Sequence, residues 1–563
     1  MGSLWRGSTV LVALAAMVLV AAGVAAAAPS APIQVSASTS PFDTPACNAL
    51  DALQLPFGSL NYLNSEVEPQ VAVDPTNPSH LVGAWQQDRW IDGGSNGLVS
   101  AYSTDGGATW TRSVLPFSFC SGSTAYASTF ERASDPWVSI GPGTPGNPAA
   151  GSTVYSVGLP FSETPSPLDP TGVHNGINAA VSYDGGATWT NVQMLIDDPC
   201  ISQPAKTPGY FCNNAKAFVL DDKQSVTADP AHPGVAYAVW DRLVAPPASF
   251  PGFFFERGYF GQVFMSKTTD YGVHWTDPQL VLTGPSQDQT LGNVIVIDPR
   301  NGTLYDFFDL IINESNKHGL RGTSVAFIKS TDGGATWSSP QIVGALDAVG
   351  VSDFANVDPS DGTAPATLRA ADDIPEVTIN PATGQLYAVW QDSRFNGFAN
   401  DEVVISTSSD GGRNWSPPSL INPHTGLAAF LPTVAVNSAG VVGVTYYQWP
   451  SAPVAGNQPA NLYIRHSLTP GSSTAPPTFD APTKLDGPFN MLAASWAGGY
   501  FLGDYQGLVA SGTSFVPFYV KPNCADGGPS TQPSCAALTS VLSPPDLTPT
   551  DKNSADVYSI TGA

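Results

Sequence analysis

One octapeptide, S/T-x-D-x-G-x-x-W, recurs five times along this chain, and a spaced repeat of that kind admits few folds. The copies are Ser103-Thr-Asp-Gly-Gly-Ala-Thr-Trp110, Ser182-Tyr-Asp-Gly-Gly-Ala-Thr-Trp189, Thr268-Thr-Asp-Tyr-Gly-Val-His-Trp275, Ser330-Thr-Asp-Gly-Gly-Ala-Thr-Trp337 and Ser408-Ser-Asp-Gly-Gly-Arg-Asn-Trp415. Each part suits a tight hairpin. The Asp carboxylate accepts backbone N–H groups inside the turn, Gly supplies φ > 0, and Trp covers the turn with apolar area. These residue types build a turn; they do not assemble a reactive centre.

A second element precedes each copy: an apolar strand, a turn, and a strand ending in aromatics. Examples are Val71-Ala-Val-Asp-Pro75 with Leu81-Val-Gly-Ala-Trp85, and Val377-Thr-Ile-Asn-Pro381 with Leu386-Tyr-Ala-Val-Trp390. Trp137–Ile140 with Val154–Val157 is a divergent copy. Thr433–Asn437 with Val441–Tyr446 lacks a good octapeptide, and Gly507–Ala510 with Phe515–Tyr519 is a partial one. Each unit therefore reads strand, turn, strand, long loop, strand, octapeptide, strand. Units of this size with four strands each predict an all-β fold, a β-propeller of six or seven four-stranded blades. A seventh blade would need Val557–Ile560 or an N-terminal strand to close the Gly507–Val520 hairpin.

The octapeptide is the Asp-box, or BNR repeat, and the chain resembles sialidases and similar Asp-box propellers over most of its length. The resemblance implies hydrolysis of terminal sialic acid or a related acidic glycan. In that family three arginines clamp the substrate carboxylate, a tyrosine assisted by a glutamate is the nucleophile, and an aspartate is the acid/base. The F/Y-R-I-P arginine motif is missing here, since Leu53-Gln-Leu-Pro56 has no Arg. A non-catalytic propeller that binds cell-surface glycans or proteins is the alternative, suggested by the aromatic stretch Phe250-Pro-Gly-Phe-Phe-Phe-Glu256. A third reading is a hydrolase or lyase for a neutral polysaccharide that works with carboxylates alone.

Chain direction narrows the search for chemistry. In an antiparallel four-stranded blade the turn between strands 1 and 2 shares a rim with the turn between strands 3 and 4. The octapeptides and Asp-Pro turns thus occupy one face, and the starts of strand 1 and ends of strand 2 lie on the other. Polar residues gather at those positions: Glu66, Glu68, Glu131, Arg132, Asp135, Asp221, Asp222, Lys223, Arg369, Asp372, Asp373, Asp504 and Tyr505. Strand 2 ends in Asp88-Arg89, Asp241-Arg242 and Asp392-x-Arg394. This last pattern recurs in three units, as structural ion pairs would, whereas the strand-1 residues differ from unit to unit. On the resemblance, the catalytic set is drawn from Tyr505, Asp135, Asp222, Asp373 and Glu68, and the substrate-binding arginines from Arg132, Arg369, Arg89, Arg242 and Arg394. Glu376 is a further partner for the tyrosine.

Bulk properties bound the rest. Gly and Pro number 54 and 52 and charged residues only 12%, which suits short strands and turns. A formal charge of −25 excludes nucleic acid as a partner, because phosphate binding needs a basic face. The partner expected is a glycan; oligomeric state stays open. Arg6, the apolar run Val10–Val24 and the small residues Ala25–Ala28 have the order of a secretory signal peptide, with an uncleaved anchor as the competing reading. The mature protein is then expected to be secreted or extracytoplasmic and off the membrane. Six cysteines in an exported chain point to disulfides. Of 15 pairings, Cys200–Cys212 and Cys524–Cys535 would close short loops and leave Cys47 with Cys120. No zinc or EF-hand spacing is present, so no cofactor is expected, with structural calcium among the Asp-rich loops left open. The expected domains are a leader 1–28, an extension 29–65, a propeller 66–520, and a disulfide loop with closing strand 521–563.

Overall fold

A computed structural model describes residues 28–36, 39–54, 60–125, 129–162, 174–199, 218–245, 260–283, 288–312, 322–358, 362–522 and 554–563. The leader, the Phe250–Glu256 stretch and Cys200, Cys212, Cys524 and Cys535 lie outside these residues. Among the described residues no helix is long and apolar enough to cross a membrane.

The strands of the described residues form seven blades. Blade 1 is Asn61–Asp74, Asn77–Trp90, Ser95–Ser103 and Thr111–Val114; blade 2 is Arg132–Thr144, Asn147–Ser162, His174–Ser182 and Thr190–Pro199. Blade 3 is Phe218–Ala228, Ala236–Ala245, Phe260–Thr268 and Gln279–Thr283; blade 4 is Asp288–Asp298, Thr303–Ile312, Gly322–Ser330 and Gln341–Ala345. Blade 5 is Glu376–Ile379, Leu386–Asp392, Glu402–Ser408 and Ser419–Leu420. Blade 6 is Ala429–Val436, Val442–Gln448 and Pro459–Thr469, the last pairing with both Thr478–Phe479 and Thr483–Asn490. The first strand of each blade contacts the first strand of the next, and the last, Gly507–Ser511, returns to Asn61–Asp74. That closed ring is the propeller.

Blade 7 is the closure. Gly507–Ser511 and Ser514–Pro522 come from one hairpin, Ala555–Ser559 from the C-terminus, and the outer strand Ile33–Gln34 from the N-terminus. Both candidates for the closing strand are used, one beside the other. The propeller therefore draws strands from outside 66–520, and its first strand starts at Asn61. Cys47, on the helix Pro45–Gln54, bonds Cys120 and ties the N-terminal segment to blade 1.

All five Asp-boxes have one geometry. In the first, Asp105 accepts Thr109 N at 2.9 Å and Thr109 Oγ1 at 2.7 Å, and Ser103 Oγ takes Gly107 N at 2.9 Å. The others repeat this at Asp184, Asp270, Asp332 and Asp410. Gly106 N bonds Ser79 O, and Tyr271 N bonds Gly234 O, so boxes and strand 1–2 turns share one rim. Each box also seats on the preceding blade: a Cβ on Gly186 would meet Val82 and Tyr102 of blade 1, and one on Gly412 would meet Phe327 of blade 4. Trp189 Nε1 reaches Ser100 Oγ of blade 1 at 3.0 Å. The boxes join blades as well as turning strands.

One further sheet positions the site. Val351–Val357 and Pro365–Arg369, which precede blade 5, join Ser495–Trp496 and Tyr500–Phe501, which precede blade 7. The parallel pairing of Arg369 with Phe501 brings the starts of blades 5 and 7 together.

Candidate functional site

The first strands carry a recurrent irregularity on the face away from the boxes. Their ladders slip between Val67 and Gln70, Ser134 and Trp137, Asp222 and Ser225, Leu291 and Val294, and Phe430 and Thr433. Inside each slip one residue is left-handed: Glu68 (φ 54°), Asp135 (52°), Lys223 (50°), Gly292 (73°) and Leu431 (48°). Side chains rarely accept this conformation, and bulges re-aim them. Three charged residues in it, on three successive blades, mark a built site. Tyr505 stands two residues before Gly507, the equivalent place in blade 7.

Lys223 is the centre. Its Nζ lies 2.7 Å from Asp135 Oδ2, 2.6 Å from Asp504 Oδ2 and 3.8 Å from Glu68 Oε1. Arg369 holds Asp504 with both edges of its fork, Nε to Oδ1 at 3.1 Å and Nη2 to Oδ2 at 2.6 Å. Arg369 and Arg89 both lie against the Phe501 ring, at 4.6 and 5.1 Å from its centroid. Gln86 donates to Glu68 and to Ser134, and Ser134 donates to Asp135. Beneath Lys223 a small cavity is walled by Trp137, Gln224, Asn293, Glu376 and Tyr505.

Charge splits the carboxyls into two groups. Burial works to raise Asp504, but Arg369 and Lys223 outweigh it and hold the group well below the usual range. Asp135 is likewise kept low because Lys223 overcomes its burial. Asp373 is pushed up to about 7 by burial and then by Asp372 and Asp504, and Asp222 to about 6 by burial and by Asp135. Glu376 rises to about 8 through burial. Glu68 is raised by burial and by the charge of Asp135. One mouth thus contains carboxyls that keep a proton near neutrality and carboxylates that do not.

The residues singled out in the sequence divide accordingly. Glu68, Asp135, Asp222, Asp373, Arg89 and Arg369 meet in this mouth. Arg132 is buried against the Trp90 ring and bonds Asp92 Oδ1 at 2.7 Å and Gly93 O. Arg242 joins Asp198 of blade 2 to Asp221 of blade 3, and Arg394 grips Asp392. These three arginines are ion-pair partners of their own surroundings, so two arginines converge where the clamp would use three. Tyr505 lines the cavity beneath Lys223 together with Glu376. Its hydroxyl donates to Pro136 O at 3.0 Å, its ring meets Trp137 edge-on, and burial with nearby carboxylates pushes its pKa well above the usual phenol value. A nucleophilic phenol needs a base to take its proton; here that proton is spent on a carbonyl.

Lys223 and Asp504 are strand-1 residues to which the sequence alone assigns no role. The missed signal is a register: Glu68-Pro-Gln, Asp135-Pro-Trp, Lys223-Gln-Ser, Gly292-Asn-Val and Leu431-Pro-Thr align once each is counted back from its ladder. That alignment puts Lys223 beside Glu68 and Asp135.

The description BNR/Asp-box repeat matches residues 101–112, the first of the five boxes. No curated protein matches the sequence. Among solved structures, a protein of unknown function from Dyadobacter fermentans DSM 18053 is 12% identical, with 70% of this chain and 94% of that one covered at a TM-score of 0.39. Hadza microbial sialidase Hz136 is 16% identical, with 81% and 64% covered at 0.35. An alpha-L-arabinanase from Penicillium chrysogenum, complexed with arabinobiose, is 12% identical, with 82% and 100% covered at 0.41. The propeller itself is established by the strand pairing above.

Proposed function

We propose that this protein is an exported glycoside hydrolase whose reaction centre is the charge cluster around Lys223. The carrying observation is that Lys223 and Arg369 hold Asp135 and Asp504 ionised beside Asp373, which burial pushes up to about 7. Glycosidic cleavage needs that split: an acid to protonate the leaving oxygen, and an ionised carboxylate facing the developing oxocarbenium charge. Asp373 is assigned as the acid and Asp135 as the ionised partner. Lys223 and Arg369 are positioning residues that fix the protonation states. Export is supported by the leader-like N-terminus and by the disulfide at Cys47.

Two substrate readings follow from the cations. An acidic sugar, sialic acid first, would place its carboxylate on Arg369, whose side chain is 40% exposed, with Arg89 behind Phe501. A neutral glycan is favoured by Asp504, which already fills the Arg369 fork and makes the mouth rich in carboxylates. A panel of fluorogenic glycosides, containing a sialoside and a neutral arabinofuranoside, decides between them. Turnover that disappears in Asp373→Asn supports the assignment. Glycan binding with no turnover across the panel would instead make the protein a binding propeller.

A further inference from the structure

A separate oxygen cluster lies between blades 3 and 4. Counting each second strand from the residue opposite the first position of its Asp-box, Asp306 aligns with Gly83, Ser156, Ala238 and Ala388. An acid thus stands where the other blades carry a small side chain. It points toward blade 3, because Leu304, two residues before it, packs there with Tyr237 and Val239, as do Ile295 and Ile297. Asp306 is fully buried, and neither of its carboxyl oxygens has a partner.

A second buried oxygen beside it is equally unmet. Asp306 sits opposite Ile295 in the ladder, and Asn293, two residues from Ile295 in the adjoining slip, bonds the same Asp241 whose charge reaches Asp306. The Asn293 amide donates through Nδ2 to Asp241 Oδ1 at 2.6 Å, which fixes Oδ1 as its other end; that atom is fully buried and has no donor. Asp241 of blade 3 contributes a further carboxylate, held by Thr290 Oγ1 at 2.6 Å and Gly292 N at 2.8 Å. Every unmet atom here is an acceptor, and stranded buried acceptors are costly. Oxygen ligands of this kind, with two carboxyl groups near them, are the chemistry of a hard cation.

We propose that Asp306 and the Asn293 amide oxygen, backed by the charge of Asp241, bind a calcium-like cation that joins blades 3 and 4. Asn293 also walls the cavity beneath Lys223, but Asp306 and Asp241 pair with neither Lys223 nor Arg369, so the cation site stands or falls independently of the glycosidase assignment.

The experiment compares full-length protein with Asp306→Ala and Asp306→Asn after chelator treatment, by thermal unfolding with and without calcium. Alanine is what blades 3 and 5 carry at this place, so that variant is expected to fold. Millimolar calcium should raise the Tm of the natural protein by roughly 3 °C and leave both variants unmoved. Without calcium, Asp306→Ala should melt above the natural protein, because an unmatched acid has gone. No response of the natural protein to calcium, magnesium, sodium or potassium would mean an internal water only and would overturn the proposal. An equal response in the natural protein and both variants would place the ion elsewhere and overturn it too.

Discussion

Asp504 and Arg369 form a two-point ion pair, 3.1 and 2.6 Å, that ties the start of blade 7 to the strand leading into blade 5. Lys223 of blade 3 shares the same Asp504 oxygen at 2.6 Å. Removing Asp504 would leave two cations facing each other in a buried mouth. Asp504→Ala is expected to cost about 3–5 kcal/mol, the range for breaking a buried pair from one side, read as a lower denaturation midpoint. Arg369→Lys keeps the charge but loses the fork. It should lower kcat/KM on the cleaved glycoside roughly tenfold with little change in the unfolding midpoint. A purely structural pair would show the reverse, with loss of stability and unchanged turnover in the folded fraction.

Tyr505 gives a sharper test of mechanism. Its hydroxyl serves Pro136 O, and its ring packs on Trp137. Tyr505→Phe deletes one neutral hydrogen bond and keeps the ring, so it should cost about 1 kcal/mol of stability. Turnover should persist within a few-fold. If kcat vanishes while the protein stays folded, the hydroxyl acts in the reaction and the carboxylate scheme is wrong.

These two residues show what was legible in the sequence and what was not. The Asp-boxes betray the fold because a turn is local: Ser103, Asp105, Gly107 and Thr109 satisfy one another within one octapeptide. The face that gathers the charged residues around Lys223 followed from chain direction alone. Individual roles did not, since they depend on contacts between distant blades. Lys223 reaches Asp504, 281 positions away, and Tyr505 reaches Pro136, 369 positions away. Of the three Asp-Arg strand ends, Arg394 makes a local ion pair and Arg242 a blade-to-blade one. Arg89 differs because Phe501, supplied by the extra sheet, draws it to the centre. That sheet has no repeat signature, so its contribution was invisible.

Buried carboxyls should give this protein an acidic stability optimum. Asp51, Asp373 and Asp401 are raised to about 7, and Glu376 to about 8, all chiefly by burial. In the unfolded chain such groups titrate near pH 4. Below that, both states are protonated and nothing is lost. As pH climbs from about 4 towards 7 or 8, only the unfolded chain ionises, so stability falls. The depressed carboxylates Asp135 and Asp504 act oppositely and lose their contribution as pH drops below about 4. Denaturation midpoints should therefore peak near pH 4–5 and decline steadily to pH 8. A flat profile or an optimum above neutrality would contradict the burial of these groups.

A box glycine has two jobs, to turn the chain and to let blades approach. Gly412 has φ 80°, and a Cβ there would lie 2.4 Å from the Phe327 ring of blade 4. Gly426 has a similar φ of 72°, but a Cβ there would meet nothing within 4 Å. Alanine at either site carries the left-handed penalty, about 1–2 kcal/mol. Only Gly412→Ala also pushes blade 5 off blade 4, which adds about 1–3 kcal/mol of overpacking. The difference in unfolding free energy between the two variants thus measures the joint alone. If Gly412→Ala and Gly426→Ala prove equally destabilising, the box glycine serves the turn and contributes nothing to blade contact. A clear excess for Gly412→Ala would show that the repeat persists because it closes the ring as well as turning each hairpin.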